Sequence, residues 1–151
     1  MATGLDERMM GIAIEEAKHA ALQGDVPVGA VVARGERVLG RAGNARERTQ
    51  DPTAHAEIVA LGKAARALGT WHLEGCTMYV TLEPCAMCAG ALVLARLERL
   101  VFGTQDPKAG FAGSLGDLVR DPRLNHTVQV ESGVLSAECG DLLREFFGER
   151  R

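Results

Sequence analysis

No stretch of this sequence reaches the roughly 20 consecutive apolar residues that a membrane-spanning helix requires; Gly, Arg or Glu interrupts every apolar run well before that. The opening Met1-Ala2-Thr3-Gly4-Leu5-Asp6-Glu7 lacks the charged-then-apolar pattern of an export signal. A cytoplasmic protein with no membrane partner is therefore expected. No long polar or low-complexity tract, internal repeat or linker-like segment interrupts the chain, which argues against extensive disorder. With 151 residues, the chain is long enough for one proper core and short for two, so residues 1–151 are expected to form a single domain. A basic surplus is missing as well: 17 Lys and Arg stand against 20 Asp and Glu, a formal net charge of -3. Bulk electrostatics gives no sign of a nucleic-acid-binding surface, and any such binding has to be local.

What is present is ordinary for a globular protein, with 46% hydrophobic and 25% charged residues, so the chemistry must be sought in individual residues. Cys76, Cys85, Cys88 and Cys139 could form two disulfides in a small secreted protein, but without an export pattern a reducing compartment and thiolate chemistry are the better expectation.

Met10, Ile14, Ala17 and Ala21 recur at helical spacing and predict an amphipathic helix over 5–22, ended by Gly24. Two strand-like runs, 28–33 and 37–42, are joined by Arg34-Gly35-Glu36 and predict an antiparallel hairpin. After a polar segment at 44–50, Asp51-Pro52-Thr53 offers capping oxygens to a helix over 54–68 with Ile58, Leu61, Ala65 and Leu68 on one face. A strand at 77–82 precedes a buried helix at 85–95. A strand at 100–103, a loop at 103–116, a weak strand at 128–131 and a helix capped by Ser136 and ending at Phe146 and Phe147 complete the order αββαβαββα. Strands interleaved with helices point to a three-layer α/β/α sandwich: one mixed five-stranded sheet with a hairpin at one side and right-handed crossovers elsewhere.

Cys85 and Cys88, three apart at the start of a helix, lie on one side of it, where the helix dipole favours thiolates. A catalytic zinc commonly takes three protein ligands and keeps a fourth position open, and Cys₂His is among the known sets; His55 supplies the imidazole. Glu57, two residues on, does not share a helical face with His55 and is better placed as a base than as a fourth ligand. Two thiolates and a neutral imidazole bring the zinc site to zero net charge, which makes a neighbouring carboxylate useful for taking the proton of an attacking water. The Cys-x-x-Cys pair alone also fits a redox pair or half of a structural zinc site. The first needs no upstream His-x-Glu, and the second needs a paired spacing that Cys76 and Cys139 do not show. His19, His72 and His126 read as surface or core histidines, and Cys76 and Cys139 as small buried residues. The glycines at 110, 113 and 116 lack the Gly-Lys-Ser/Thr of a phosphate-binding loop.

His55-Ala56-Glu57 followed by Pro84-Cys85-Ala86-Met87-Cys88 matches the known signature of zinc-dependent nucleobase deaminases. At DPTAHAE (51–57) and TLEPCAMCAGAL (81–92) the chain resembles the cytidine deaminase superfamily, and more closely its bacterial tRNA-specific adenosine deaminases. Four further segments carry the closer resemblance: VPVGAVV (26–32), Gly43-Asn44, VFGTQDPKAGFAGS (101–114) and DLLREFF (141–147). The resemblance implies a cytidine deaminase-like fold, one zinc ion per subunit, and hydrolysis of adenosine to inosine at the wobble position of a tRNA anticodon, with release of ammonia. It implies that Asn44 contacts the flipped nucleoside, that Asp106 and Lys108 meet neighbouring anticodon nucleotides, and that Phe147 lines the pocket mouth. It further implies a homodimer whose tRNA site uses both subunits, and an arginine tRNA with an ACG anticodon as substrate. By position, the backbone N–H groups of Ala56 and Cys85 are candidate orienters of water or base. Asn44 and Asp106-Pro107 also fit ordinary turns. Phe111 stands where many relatives carry a small residue, and the basic tail ends at Arg150-Arg151. Two other functions use the same residues: a free-base or nucleoside deaminase acting on guanine or cytosine, and a non-catalytic zinc-binding module for RNA or protein.

Overall fold

The central strands are buried on both faces, which decides the architecture. A computed structural model describes residues 2–149. Its elements are α1 (Gly4–Leu22), β1 (Gly29–Arg34), β2 (Arg37–Gly43), α2 (Arg46–Thr49), α3 (Ala56–Leu68), β3 (Thr77–Leu82), α4 (Ala86–Leu94), β4 (Arg99–Thr104), β5 (Gln129–Ser132) and α5 (Ser136–Glu149). The strands form one sheet in the order β2-β1-β3-β4-β5. β1 runs antiparallel to both β2 and β3, while β3, β4 and β5 are parallel. This is the mixed five-stranded sheet expected, with the hairpin at one side.

Side chains at successive strand positions point to opposite faces. Val31 and Ala33, Tyr79 and Val101 pack with Met9, Met10, Ala13 and Ile14 of α1 and Cys139 of α5. Ala30 and Val32, Met78 and Val80, and Leu100 and Phe102 pack with Ala56, Ala60 and Ala64 of α3 and Ala89 and Leu92 of α4. Helices thus cover both faces, giving three layers. The small residues are what let them approach: a Cβ on Gly29 would lie 1.8 Å from the Ala13 carbonyl oxygen, so α1 sits on β1 at glycine distance. No helix among the described residues is long and apolar enough to cross a membrane.

Several details differ from the sequence-based expectation. Thr3 and Asp6 close a capping box on α1, which moves its start to Gly4. α3 begins at Ala56 and not at 54, because Asp51 spends its Oδ1 on the Thr53 N–H and hydroxyl, both at 2.8 Å, and caps no helix. His55 is the residue that precedes the helix, in extended conformation and without a capping side chain. Cys85 likewise precedes α4, and Ser136 is the first residue of α5, not its cap. The short α2 carries no apolar periodicity and was not expected. Parallel β4 and β5 are joined by a long loop with no helix in it, where an α-helical crossover is the usual solution. Ala112, Val119 and Val128 of that loop are buried in the α3/α4 cluster and take the place of the missing helix. Phe111 packs inward with them, its ring where a Cβ on Gly116 would lie 2.8 Å from Cε2. Arg150 and Arg151 lie outside the described residues.

Candidate active site

The carboxyl ends of β2, β3 and β4 and the amino end of β1 meet at one edge of the sheet, as the pairings Gly29 with Gly43, Ala30 with Val80 and Leu82 with Thr104 require. Such an edge is where open α/β sheets build their sites. The residues that start α3 and α4 come together there: His55 Nδ1 lies 3.6 Å from Cys85 Sγ and 3.6 Å from Cys88 Sγ. Two ligand atoms about 2.0 Å (N) and 2.3 Å (S) from a tetrahedral zinc ion stand about 3.5 Å apart, so the donor spacing fits zinc. All three donor atoms are within 4.8 Å of one another.

The two thiols of the cluster are pushed in opposite directions. Hydrogen bonds with Cys88 and His55 pull the Cys85 thiol down to about 3. Its bond to Cys85, together with burial, pushes the Cys88 thiol up, and the bond to Cys85 raises His55. Two adjacent sulfurs resist carrying two negative charges; a divalent cation shared between them reverses that preference.

Glu57 stands in the first turn of α3, only 4% exposed, and burial pushes its carboxyl up to about 7. Together with His55 and Cys85 it lines a cavity of ≈ 710 Å³, whose wall also includes Asn44, Asp106, Lys108 and Phe147. That volume lies within the range of small-ligand sites, about 300–1,000 Å³. Val26, Val28 and Leu82 supply an apolar part of the lining.

Asn44 is buried, and its Oδ1 accepts the Ala56 N–H at 2.8 Å. That bond fixes the amide orientation and leaves Nδ2 as a donor. Ala56 is fully buried and its N–H is spent on Asn44, so the direct substrate contact expected of that group is replaced by an internal one. Asp106 fulfils its turn role while facing the cavity: its Oδ1 accepts from the N–H groups of Lys108 at 3.0 Å and Ala109 at 3.1 Å. Phe147 is 52% exposed and meets Phe146 edge-on at 5.4 Å.

Two residues escaped the sequence reading. Glu83, 2% exposed at the end of β3, accepts the N–H groups of Asp106, Ala112 and Ser114, each at 3.0 Å, and the Ser114 hydroxyl. Burial raises its carboxyl, but these bonds outweigh it and hold it below the ordinary glutamate value. The available signal was a lone carboxylate closing an apolar strand directly before Pro84 and Cys85, since a carboxylate buried there needs donors. Arg46, two residues beyond Asn44, also lines the cavity; nothing in its local sequence distinguishes it from Arg48.

Known proteins share this arrangement. Residues 5–151 match the family model of the MafB19-like deaminases. The tRNA-specific adenosine deaminase of Bacillus subtilis (strain 168) is 53% identical over 146 residues, 97% of this chain and 91% of the relative. That of Haemophilus influenzae is 47% identical over 147 residues, 97% of this chain and 85% of the relative. Among solved structures, one from studies of A-to-I editing by tRNA deaminases at the wobble position of transfer RNA aligns with a TM-score of 0.87 at 42% identity, covering 90% of this chain and 99% of that one. A guanine deaminase from Nitrosomonas europaea aligns at 0.82 with 24% identity, covering 98% and 86%, and shares the fold. With the zinc-fitting donor set, the buried glutamate and relatives matched over nearly their whole length, this chain belongs to the deaminases, in the family of tRNA-specific adenosine deaminases.

Proposed function

We propose that this protein converts adenosine to inosine at the wobble position of a tRNA anticodon, residues 1–151 acting as one deaminase domain. The observation that carries this reading is the cluster of His55, Cys85 and Cys88, two of whose members line one cavity with Glu57, in a chain 53% identical to a tRNA-specific adenosine deaminase. His55, Cys85 and Cys88 would hold one zinc ion per subunit, which when bound supplies Lewis acidity that makes water a nucleophile near neutral pH. Glu57 takes one proton from the attacking water and delivers it to the purine ring as C6–O forms, then carries the second proton, from the hydroxyl now on C6, to the amine, so that C6–N breaks and ammonia leaves. The reacting base has to be everted from a single-stranded loop, where unstacking costs little. Asn44 offers Nδ2 to the base, Asp106 and Lys108 meet the neighbouring anticodon nucleotides, and Phe147 closes the mouth. We place the enzyme in the cytoplasm as a homodimer, with an arginine tRNA bearing an ACG anticodon as its substrate.

The deciding experiment incubates the zinc-loaded protein with that unmodified tRNA and, separately, with guanine, cytosine, cytidine and adenosine, following ammonia and inosine. Inosine at the wobble position of the tRNA alone is expected. Ammonia from a free base with inert tRNA would overturn the substrate and retain the zinc chemistry. No turnover of anything by the fully loaded protein would leave a zinc-binding module.

A further inference from the structure

We propose that Arg46 is a phosphate-binding residue of the substrate site and that the buried Asp25 positions it; the proposal rests on the RNA reading above. Asp25 lies between α1 and β1 and is 1% exposed. A buried carboxylate is unfavourable unless its oxygens are satisfied. Here Oδ1 accepts the Val26 N–H at 3.0 Å and Oδ2 accepts the Glu47 N–H at 2.9 Å. The second bond ties down α2, a four-residue helix whose preceding residue, Ala45, has no side-chain cap to give. Asp25 therefore replaces the missing cap from 22 residues away and fixes the backbone of Arg46 directly beyond Asn44.

The guanidinium itself is left available. Its Nε lies 4.0 Å from Asp25 Oδ1, too far for a hydrogen bond, and among the described residues no protein acceptor takes its terminal nitrogens. Its side chain is 42% exposed and faces the cavity that contains His55 and Glu57. The other carboxylates around that cavity are committed: Glu83 to the N–H groups of Asp106, Ala112 and Ser114, Asp106 to its own turn. Lys108 lines the same cavity. A planar fork with free terminal donors matches phosphate, and phosphate contacts position a strand without reading its sequence. Arg46 and Lys108 together give a chain of net charge -3 a local grip on a polyanion, Arg46 taking the backbone phosphate beside the everted nucleotide.

The test compares zinc-loaded wild type, Arg46→Gln, Arg46→Lys, Asp25→Asn and the double variant Asp25→Asn/Arg46→Gln on an anticodon stem-loop RNA. KM, kcat and binding are measured at several salt concentrations. Arg46→Gln is expected to raise KM roughly tenfold, the share of one charge-assisted bond, and to lower the slope of log K against log salt by about 0.7–1. Arg46→Lys should restore the slope and only part of the affinity. Asp25→Asn should raise KM in the wild-type background and add little to Arg46→Gln. Should Asp25→Asn fail to fold, the two Arg46 variants, on an exposed side chain, still decide the phosphate contact. Unchanged KM and slope in Arg46→Gln overturn the proposal, and so does a fall in kcat at constant KM, which would place Arg46 in the chemistry of His55 and Glu57. If wild type neither binds nor edits RNA, the RNA reading fails and this proposal fails with it; if wild type edits and Arg46→Gln matches it, only this proposal fails.

Discussion

Asn44 Oδ1 holds the N–H of Ala56 at 2.8 Å, so the end of the β1–β2 hairpin is bonded to the first residue of the helix that carries Glu57. The bond supplies in trans the cap that His55 cannot give, since its ring is turned to Cys85 and Cys88.

Substitution at Asn44 should therefore separate structure from substrate contact. Asn44→Ala leaves a buried N–H without a partner and is expected to destabilise by about 1–2 kcal/mol. Asn44→Asp keeps an acceptor for Ala56 but has no N–H to offer the base. Thermal unfolding should then rank wild type and Asn44→Asp above Asn44→Ala, while steady-state turnover falls in both variants. Full activity in Asn44→Asp would remove the amide donor from the mechanism.

The proposed zinc ligands and Glu57 should fail in different ways. Glu57→Gln preserves size in a site only 4% exposed and is expected to retain zinc and RNA binding while turnover drops by about 10²–10⁴. Cys88→Ser should lose zinc as well as activity, because a hydroxyl is a poor substitute for a thiolate. Elemental analysis and RNA binding separate the two outcomes: an undiminished zinc content in Cys88→Ser would remove it from the ligand set.

The fold was legible wherever a period was available. Alternation in β3, the short apolar runs of β1 and β4, and the spacing of Ile14, Ala17, Leu61 and Ala65 announced the element types, and His55, Cys85 and Cys88 announced the donor cluster. What escaped depends on contacts distant in sequence. Asp25 and Glu47, Asn44 and Ala56, and Glu83 and Ser114 are bonded across gaps of 22, 12 and 31 residues, and no local pattern announces which carboxylate or amide will meet which N–H. The packing of the β4–β5 loop is long-range in the same way: Ala112 and Val119 carry no pattern in sequence and are core residues in space.

Glu83 leads to a prediction about the loop that presents Asp106 and Lys108. A glutamine in its place has one acceptor oxygen for the four donors that the carboxylate takes, and turns an N–H₂ toward backbone N–H groups. Glu83→Gln should destabilise by roughly 2–3 kcal/mol, raise amide hydrogen exchange through 105–115 and raise KM for RNA. Gly110→Ala should act similarly, since its Cβ would sit 2.4 Å from Glu83 Oε2 and 2.6 Å from the Asp106 carbonyl oxygen. Wild-type exchange in that segment of Glu83→Gln would show that the loop is held by its apolar residues instead.

Stability at acid pH should depend on Asp6, far from the site. Its two carboxylate oxygens accept from Arg99 Nη1 at 2.8 Å and Nη2 at 2.9 Å, and Tyr79 donates to Oδ1 at 3.3 Å. The hydrogen bond from Arg99, first of all, holds the Asp6 carboxyl below its ordinary value of 3.8. A carboxyl depressed in the folded state contributes stability that is fully present above the unfolded pKa, about 3.9, and is lost as pH falls through the lower folded value. Asp6→Asn is therefore expected to be less stable than wild type by about 2–3 kcal/mol at pH 7, since it leaves Arg99 without its counter-charge. The gap should stay constant from pH 7 to pH 5 and narrow below about 4, where wild type loses the same interaction. Denaturant unfolding at pH 7, 5 and 3 measures it; a gap that persists undiminished at pH 3 would mean that Asp6 acts through the Thr3 capping box and shape alone, not through its charge.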